Sequence, residues 1–257
     1  MDLNFKVEGN GKTLVLIHGL SDNLLYWEFL ASNLKKDYQV IRIDLRGHGE
    51  SELDDDEITA DSYVEDLNDI LDDLNISNVN LIGFSLGGAI AIDYVLKYPH
   101  KVDSLVMMSS FIKTDNHLKN IFTQFKNSLN IGFEEFYDLI LPMVLCPEVI
   151  SQNREELDML REIASITANT EAYIKAIDAF IDFNVENELS KVHVPTLILA
   201  GKYDDITLLD SQKQLQCQIK NSEMVVFENV KHNLLVGKNN EKILSSLKKF
   251  YKKIEIK

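Results

Sequence analysis

Gly83-Phe84-Ser85-Leu86-Gly87-Gly88 is the stretch on which the reading of this chain turns. It stands between Val79-Asn80-Leu81-Ile82, which reads as a buried strand, and Leu86 to Tyr98, which reads as a helix. The glycines two residues before and two after Ser85 have a steric reason. A chain that leaves a strand and at once enters a helix must turn sharply, and a side chain at Gly83 or Gly87 would clash across the turn. The same turn holds Ser85 in a strained backbone conformation and lifts it above the sheet, at the N-terminus of a helix. Free N–H groups and partial positive charge at that end suit a developing oxyanion. The spacing G-x-S-x-G therefore marks Ser85 as a nucleophile rather than a helix-capping serine.

Working outward, the chain alternates strand and helix. Thr13-Leu14-Val15-Leu16-Ile17 reads as a buried strand stopped by His18-Gly19. Leu24 to Leu34 has apolar residues near helical spacing, with Ser21 or Asp22 as its cap. Val40 to Ile43 is the next strand, ending at Asp44, and the acidic run Asp54-Asp55-Asp56-Glu57 reads as a solvated loop. Ser62 to Leu74 places Tyr63, Leu67, Ile70, Leu71 and Leu74 on one helical face. Val102 to Met108 is again a strand. Such alternation predicts a mostly parallel, doubly wound sheet.

The rhythm breaks from about Phe111 to Leu189, where the patterns are helical: His117–Ser128, Phe133–Leu145, Glu155–Ser165 and Glu171–Asn184. It then resumes with a strand at Thr196–Ala200, a helix at Leu208–Ile219, a strand at Glu223–Phe227 and a closing helix at Glu241–Ile254. The expectation is one α/β core built from residues 1–110 and 190–257, carrying a helical insertion at 111–189.

A serine hydroxyl needs a base to take its proton, most often a histidine. Of the six histidines, His232 follows the last strand and comes just before the closing helical region, a place from which a loop reaches the sheet end near Ser85. His18 and His48 lie in tight glycine turns and read as structural, His100 and His193 as surface residues, and His117 as a residue of the insertion that faces either solvent or a pocket. The base needs an orienting carboxylate. Gly201-Lys202-Tyr203-Asp204-Asp205 follows a late strand and offers Asp204 or Asp205. The chain order serine, acid, histidine is the one expected for this architecture.

Composition narrows the classes. Lys plus Arg total 26 against 41 Asp plus Glu, a formal charge of -15. That surface repels nucleic-acid backbones and anionic lipid. Cys146 and Cys217 stand alone and read as reduced, partly buried thiols. No leader-like segment and no membrane-length apolar run is read in the sequence, so a cytoplasmic protein, monomer or homodimer, is expected.

Leu16-Ile17-His18-Gly19-Leu20, Asp44-Leu45-Arg46-Gly47-His48-Gly49-Glu50-Ser51, the Ser85 turn, Leu199 to Asp204 and Val230-Lys231-His232 together resemble the α/β-hydrolase superfamily over essentially the whole chain. The likeness is greatest to small lidded carboxylesterases and 3-oxoadipate enol-lactonases. The menaquinone-pathway lyase and the pimeloyl-ester esterase share mainly the core. The resemblance implies an α/β-hydrolase fold with the insertion as a lid, and selects Asp204 over Asp205 as the acid. It also implies an oxyanion hole from the backbone N–H groups of Leu20 and Leu86, with no metal or organic cofactor. Haloalkane dehalogenases and epoxide hydrolases of this fold use an aspartate nucleophile, and Ser85 argues against both. The expected function is cleavage of small to medium acyl or aryl esters, with lactones included. A cofactor-free lyase using the same residues and a ligand receptor on a hydrolase scaffold are the alternatives. Phe111, Phe122, Phe125, Phe133, Phe136, Tyr137, Met143, Ile163, Ile166 and Phe180 are candidates for an apolar pocket, Trp27 reads as core, and Arg154 and Arg161 read as solvated.

Overall fold

The computed structural model describes residues 2–54 and 57–255; Asp55 and Asp56 of the acidic run lie outside the described residues. Seven strands form one sheet: β1 (Phe5–Glu8), β2 (Thr13–Ile17), β3 (Gln39–Ile43), β4 (Val79–Phe84), β5 (Val102–Met108), β6 (Thr196–Gly201) and β7 (Ser222–Phe227), in the order β1-β3-β2-β4-β5-β6-β7. All neighbours pair in parallel except β1 with β3. β2, β4 and β6 are buried along their whole length, which is why they read as apolar runs without alternation.

Helices cover both faces, as a parallel sheet requires. On one side lie α2 (Ala60–Asp73), α3 (Leu86–Lys97) and α9 (Leu209–Gln218), which contribute Leu67, Leu71, Ile90 and Leu215 to the larger apolar cluster. On the other, α1 (Glu28–Leu34) and α10 (Asn239–Glu255) bury Leu30, Leu34, Ile243, Leu247 and Phe250. Trp27, as expected, is core.

Between β5 and β6 come five helices: α4 (Asn116–Ile131), α5 (Phe133–Val144), α6 (Pro147–Gln152), α7 (Arg154–Thr167) and α8 (Thr170–Phe180). Their two ends meet. Thr114 N–H donates to the Phe183 carbonyl at 2.8 Å and Val185 N–H to the Ile112 carbonyl at 2.9 Å, so the chain leaves and re-enters the α/β core through a two-strand neck. Phe111, Phe122, Phe125, Phe133, Phe136 and Phe180 join the same apolar cluster as α2 and α3.

Three local expectations are corrected, and two elements are added. β1 was not foreseen: it is a short antiparallel edge strand whose Phe5 and Val7 stay largely exposed, so no apolar run announces it. The stretch 24–34 is a 3-10 turn at Leu24–Trp27 followed by α1, and its cap is Asn23, whose side chain accepts from Leu25 N–H, not Ser21 or Asp22. The last helix of the insertion ends at Phe180 rather than at Asn184, and α6, started by Pro147, was not foreseen. Cys217 is exposed, while Cys146 is half-buried.

Candidate active site

The turn between β4 and α3 has the conformation its glycines require. Ser85 has φ 51° and ψ −117°, a backbone state that costs a non-glycine residue about 1–3 kcal/mol and persists only where its surroundings enforce it. A Cβ on Gly83 would meet the Gly87 carbonyl oxygen, and one on Gly87 would meet the carbonyl oxygens of Ile17 and His18. Ser85 N–H donates to the Met108 carbonyl at 2.9 Å, and the Ser85 carbonyl accepts from Gly88 N–H at 3.0 Å and from the Ser110 hydroxyl at 2.7 Å. β5 and the residues just after it therefore hold the strained residue from two sides.

Two later loops bring their side chains to the same sheet end. His232, 3% exposed, places Nε2 3.0 Å from Ser85 Oγ. Its Nδ1 faces the Asp204 carboxylate at 2.9 and 3.0 Å. Asp204 is fixed in turn: Oδ1 accepts from the Ile206 and Thr207 N–H groups at 2.9 Å each, and Oδ2 accepts from the Thr207 hydroxyl at 2.8 Å. Asp205 faces away, toward Lys231 Nζ at 2.6 Å. The structure thus brings Ser85, His232 and Asp204 together and leaves Asp205 outside the group. With an Nδ1–H donor to the carboxylate, Nε2 is left unprotonated and able to accept the serine proton.

Leu20 and Leu86 both line the cavity above Ser85. The Leu86 amide is the first of α3, so it has no acceptor within the helix. The Leu20 amide takes part in none of the backbone hydrogen bonds of its loop among the described residues.

The cavity itself has a volume of about 370 Å³. Phe111, Phe122, Phe125, Phe133, Phe136 and Tyr137 line it, together with aliphatic side chains of α5, α7 and α8 that include Ile140, Val144, Leu157 and Ile177. Four candidates do not: Met143 and Ile163 lie outside the lining, Ile166 is 84% exposed, and Phe180 is wholly buried in the core. Helical spacing identified the apolar faces but not which of them turns toward the serine.

Asp22 also lines this cavity, beside Asn23, Tyr26 and Asn233. None was singled out as a site residue from the sequence, where Asp22 reads as a helix cap. Its place three residues beyond the His-Gly pair was the available signal. Burial pushes the Asp22 carboxyl up to about 7, against the opposing pull of His232 and of the Gly19 backbone.

The remaining histidines serve the scaffold. His18 Nε2 accepts from Leu45 N–H at 3.0 Å and its Nδ1 donates to the Gly19 carbonyl at 2.7 Å. Burial lowers it to about 4 and lowers His48 to about 3, so both stay neutral at pH 7. His117 bonds the Asp205 carbonyl at 2.9 Å and does not reach the cavity. His100 and His193 are exposed. Arg154 pairs with Asp158, and Arg161 with Glu134 and Asp138, all on the outer side of the insertion.

A family model of the alpha/beta hydrolase fold matches residues 12–238. The chain belongs to that family. Among curated proteins it is 28% identical over 256 residues to the AB hydrolase superfamily protein YisY of Bacillus subtilis, covering 94% of this chain and 92% of that one. Among solved structures it superposes with a TM-score of 0.91 and 22% identity on MGS-M2, an alpha/beta hydrolase enzyme from a deep-sea metagenome of the Medee basin, covering 97% and 94% of the two chains. The enol-lactonase of Burkholderia xenovorans LB400 superposes at 0.89 with 20% identity, over 97% of this chain and 96% of that one. No helix among the described residues is long and apolar enough to cross a membrane.

Proposed function

We propose that the chain is a serine hydrolase that cleaves carboxylic esters of small to medium, mainly apolar acyl or aryl groups through an acyl-enzyme. The observation that carries this reading is the continuous relay from Asp204 through His232 to Ser85 Oγ, with contacts of 2.9 and 3.0 Å, opening onto an apolar cavity. His232 takes the proton of Ser85 as the hydroxyl attacks the ester carbonyl. Asp204 holds the imidazole in its Nδ1–H tautomer and stabilises the cation that forms. The amides of Leu20 and Leu86 receive the oxyanion, each worth roughly 3 kcal/mol in the transition state. The alcohol departs with a proton from His232, and water activated by the same histidine then releases the acid. No cofactor enters these steps.

The insertion is the lid of this reading. α4, α5, α7 and α8 supply most of the apolar lining and keep bulk water from the acyl group. A fluorophosphonate probe is expected to label the protein and not Ser85→Ala. A series of p-nitrophenyl esters of rising acyl length is expected to turn over, with kcat reduced by about 10⁶ in Ser85→Ala and in His232→Ala. Labelling of Ser85→Ala would overturn the nucleophile. Labelling without turnover of any ester would transfer the site to lyase chemistry or to ligand reception.

A further inference from the structure

Asp22 is a carboxyl that the relay does not use, set in the wall of the cavity that holds Ser85 and His232. It is half-buried, and its loop is short: Asp22 N–H donates to the Gly19 carbonyl at 3.3 Å, and its carboxylate lies against Gly19. The Gly19 backbone hydrogen-bonds its carboxylate, and among the described residues no side chain donates to it. Nor does any lysine or arginine line the cavity. The other polar groups there, Ser21, Asn23, Asn233, Tyr26 and Tyr137, are uncharged at pH 7. A carboxylate entering this space would find no lysine or arginine to pair with and one acid to oppose it.

We propose that Asp22 is a specificity-determining residue, which turns away substrates bearing a carboxylate and restricts the cavity to neutral or cationic esters. The proposal deepens the ester-hydrolase reading by naming its substrate class, and rests on it for the word substrate. Two like charges in a partly buried space repel far more strongly than in water. An anion also loses most of its hydration on entering a largely apolar wall.

The exclusion strengthens with pH, because burial holds the Asp22 carboxyl near 7, inside the working range. The titratable groups around it are His232 from the loop after β7, Tyr26 from the 3-10 turn and Tyr173 from α8, whose hydroxyl also feels the charge of Asp44. Both tyrosines are raised above their ordinary value and remain neutral, so neither adds a change of charge near neutral pH.

The test is a binding measurement that needs no turnover. Octanoate and octanamide, matched in length and differing in charge, are titrated calorimetrically into the Ser85→Ala protein from about pH 5.5 to about pH 8.5. The apolar lining disfavours octanoate by itself, so the decisive quantities are the pH dependence of the gap and its response to substitution. The octanamide-to-octanoate affinity ratio is expected to rise about tenfold across this range. In Ser85→Ala with Asp22→Asn added, the ratio is expected to be lower at the alkaline end and flat with pH. Asp22→Thr provides a second uncharged replacement should the asparagine variant fold poorly. A ratio that does not rise with pH, a rise that survives both substitutions, or failure of both ligands to bind overturns the proposal. The pH-dependent preference found in a protein that hydrolyses no ester would leave the anion exclusion standing and overturn the esterase reading instead.

Discussion

Asp204 accepts from Ile206 N–H, Thr207 N–H, the Thr207 hydroxyl and His232 Nδ1. Those three local donors fix the carboxylate before it meets the imidazole, so its orientation is set by its own loop. Replacing it by asparagine keeps the shape but presents an amide to Nδ1, and the histidine then turns its proton toward the serine. Asp204→Asn is expected to lower kcat on the best p-nitrophenyl ester by about 10⁴ while the thermal midpoint moves little. A variant that keeps its activity would remove Asp204 from the relay. Much of this site was legible beforehand for one reason: steric and chain-order constraints restrict the residues themselves. Two glycines flank Ser85 because no Cβ fits, and the acid and the base follow late strands. Asp22 was not legible, because a capping aspartate and a cavity aspartate look alike until the aromatic side chains around the space are in place.

At the scale of elements, the turn after β4 is the least tolerant part of the fold. A methyl group at Gly83 has to displace the Gly87 carbonyl, and one at Gly87 has to displace the end of β2. Both obstacles are backbone, so relaxation is costly. Gly83→Ala and Gly87→Ala are each expected to destabilise by about 3 kcal/mol or more, read as a shift of the urea midpoint. A shift under about 0.5 kcal/mol, the size of an ordinary surface substitution, would show that the turn relaxes.

The edge strand β1 is held differently. Arg42 of β3 is wholly buried and pairs with Glu8 and with Glu28. Hydrogen bonding to Lys35, then the bonding and charge of Arg42, lower the Glu8 carboxyl to about 2 despite its burial. A carboxyl lowered on folding stabilises above its unfolded value and loses that contribution as pH falls through the folded one. Glu8→Gln is therefore expected to cost about 2–3 kcal/mol near pH 7, with the gap to the parent closing from about pH 4.5 toward about pH 2. A gap independent of pH would mean that the loss is steric. β1 escaped the sequence reading for the same reason that it matters. Its anchor is an ion pair to a neighbouring strand far away in sequence, and Phe-Lys-Val-Glu carries no apolar run.

For the whole molecule, the insertion and the α/β core share one apolar cluster that runs from β2 and β4 through α2 and α3 into α4, α5 and α8. The proposed lid is packed as part of the core rather than laid over it. Calorimetric unfolding is accordingly expected to give one transition whose van't Hoff and calorimetric enthalpies agree. Two resolved transitions would mean that the helices melt on their own. That helices lie between β5 and β6 was legible as a break in the strand-helix rhythm. Its inward-facing side was not, because helical period identifies a stripe of apolar residues and says nothing of the direction in which the stripe points.

The two-strand neck has a consequence for how the chain reaches this state. β5 and β6 lie side by side although Met108 and Thr196 are separated by the entire insertion. Bringing them together as loose chain would cost the closure entropy of a very long loop. When the helices form locally and the bonds at Thr114 and Val185 close first, the remaining loop between the strands shrinks to about five residues on one side and about ten on the other. Ser85 precedes this junction, while Asp204 and His232 follow it. Esterolytic activity returning during refolding would then time the docking of β6 and β7, a late step that backbone spectroscopy dominated by helices would pass over.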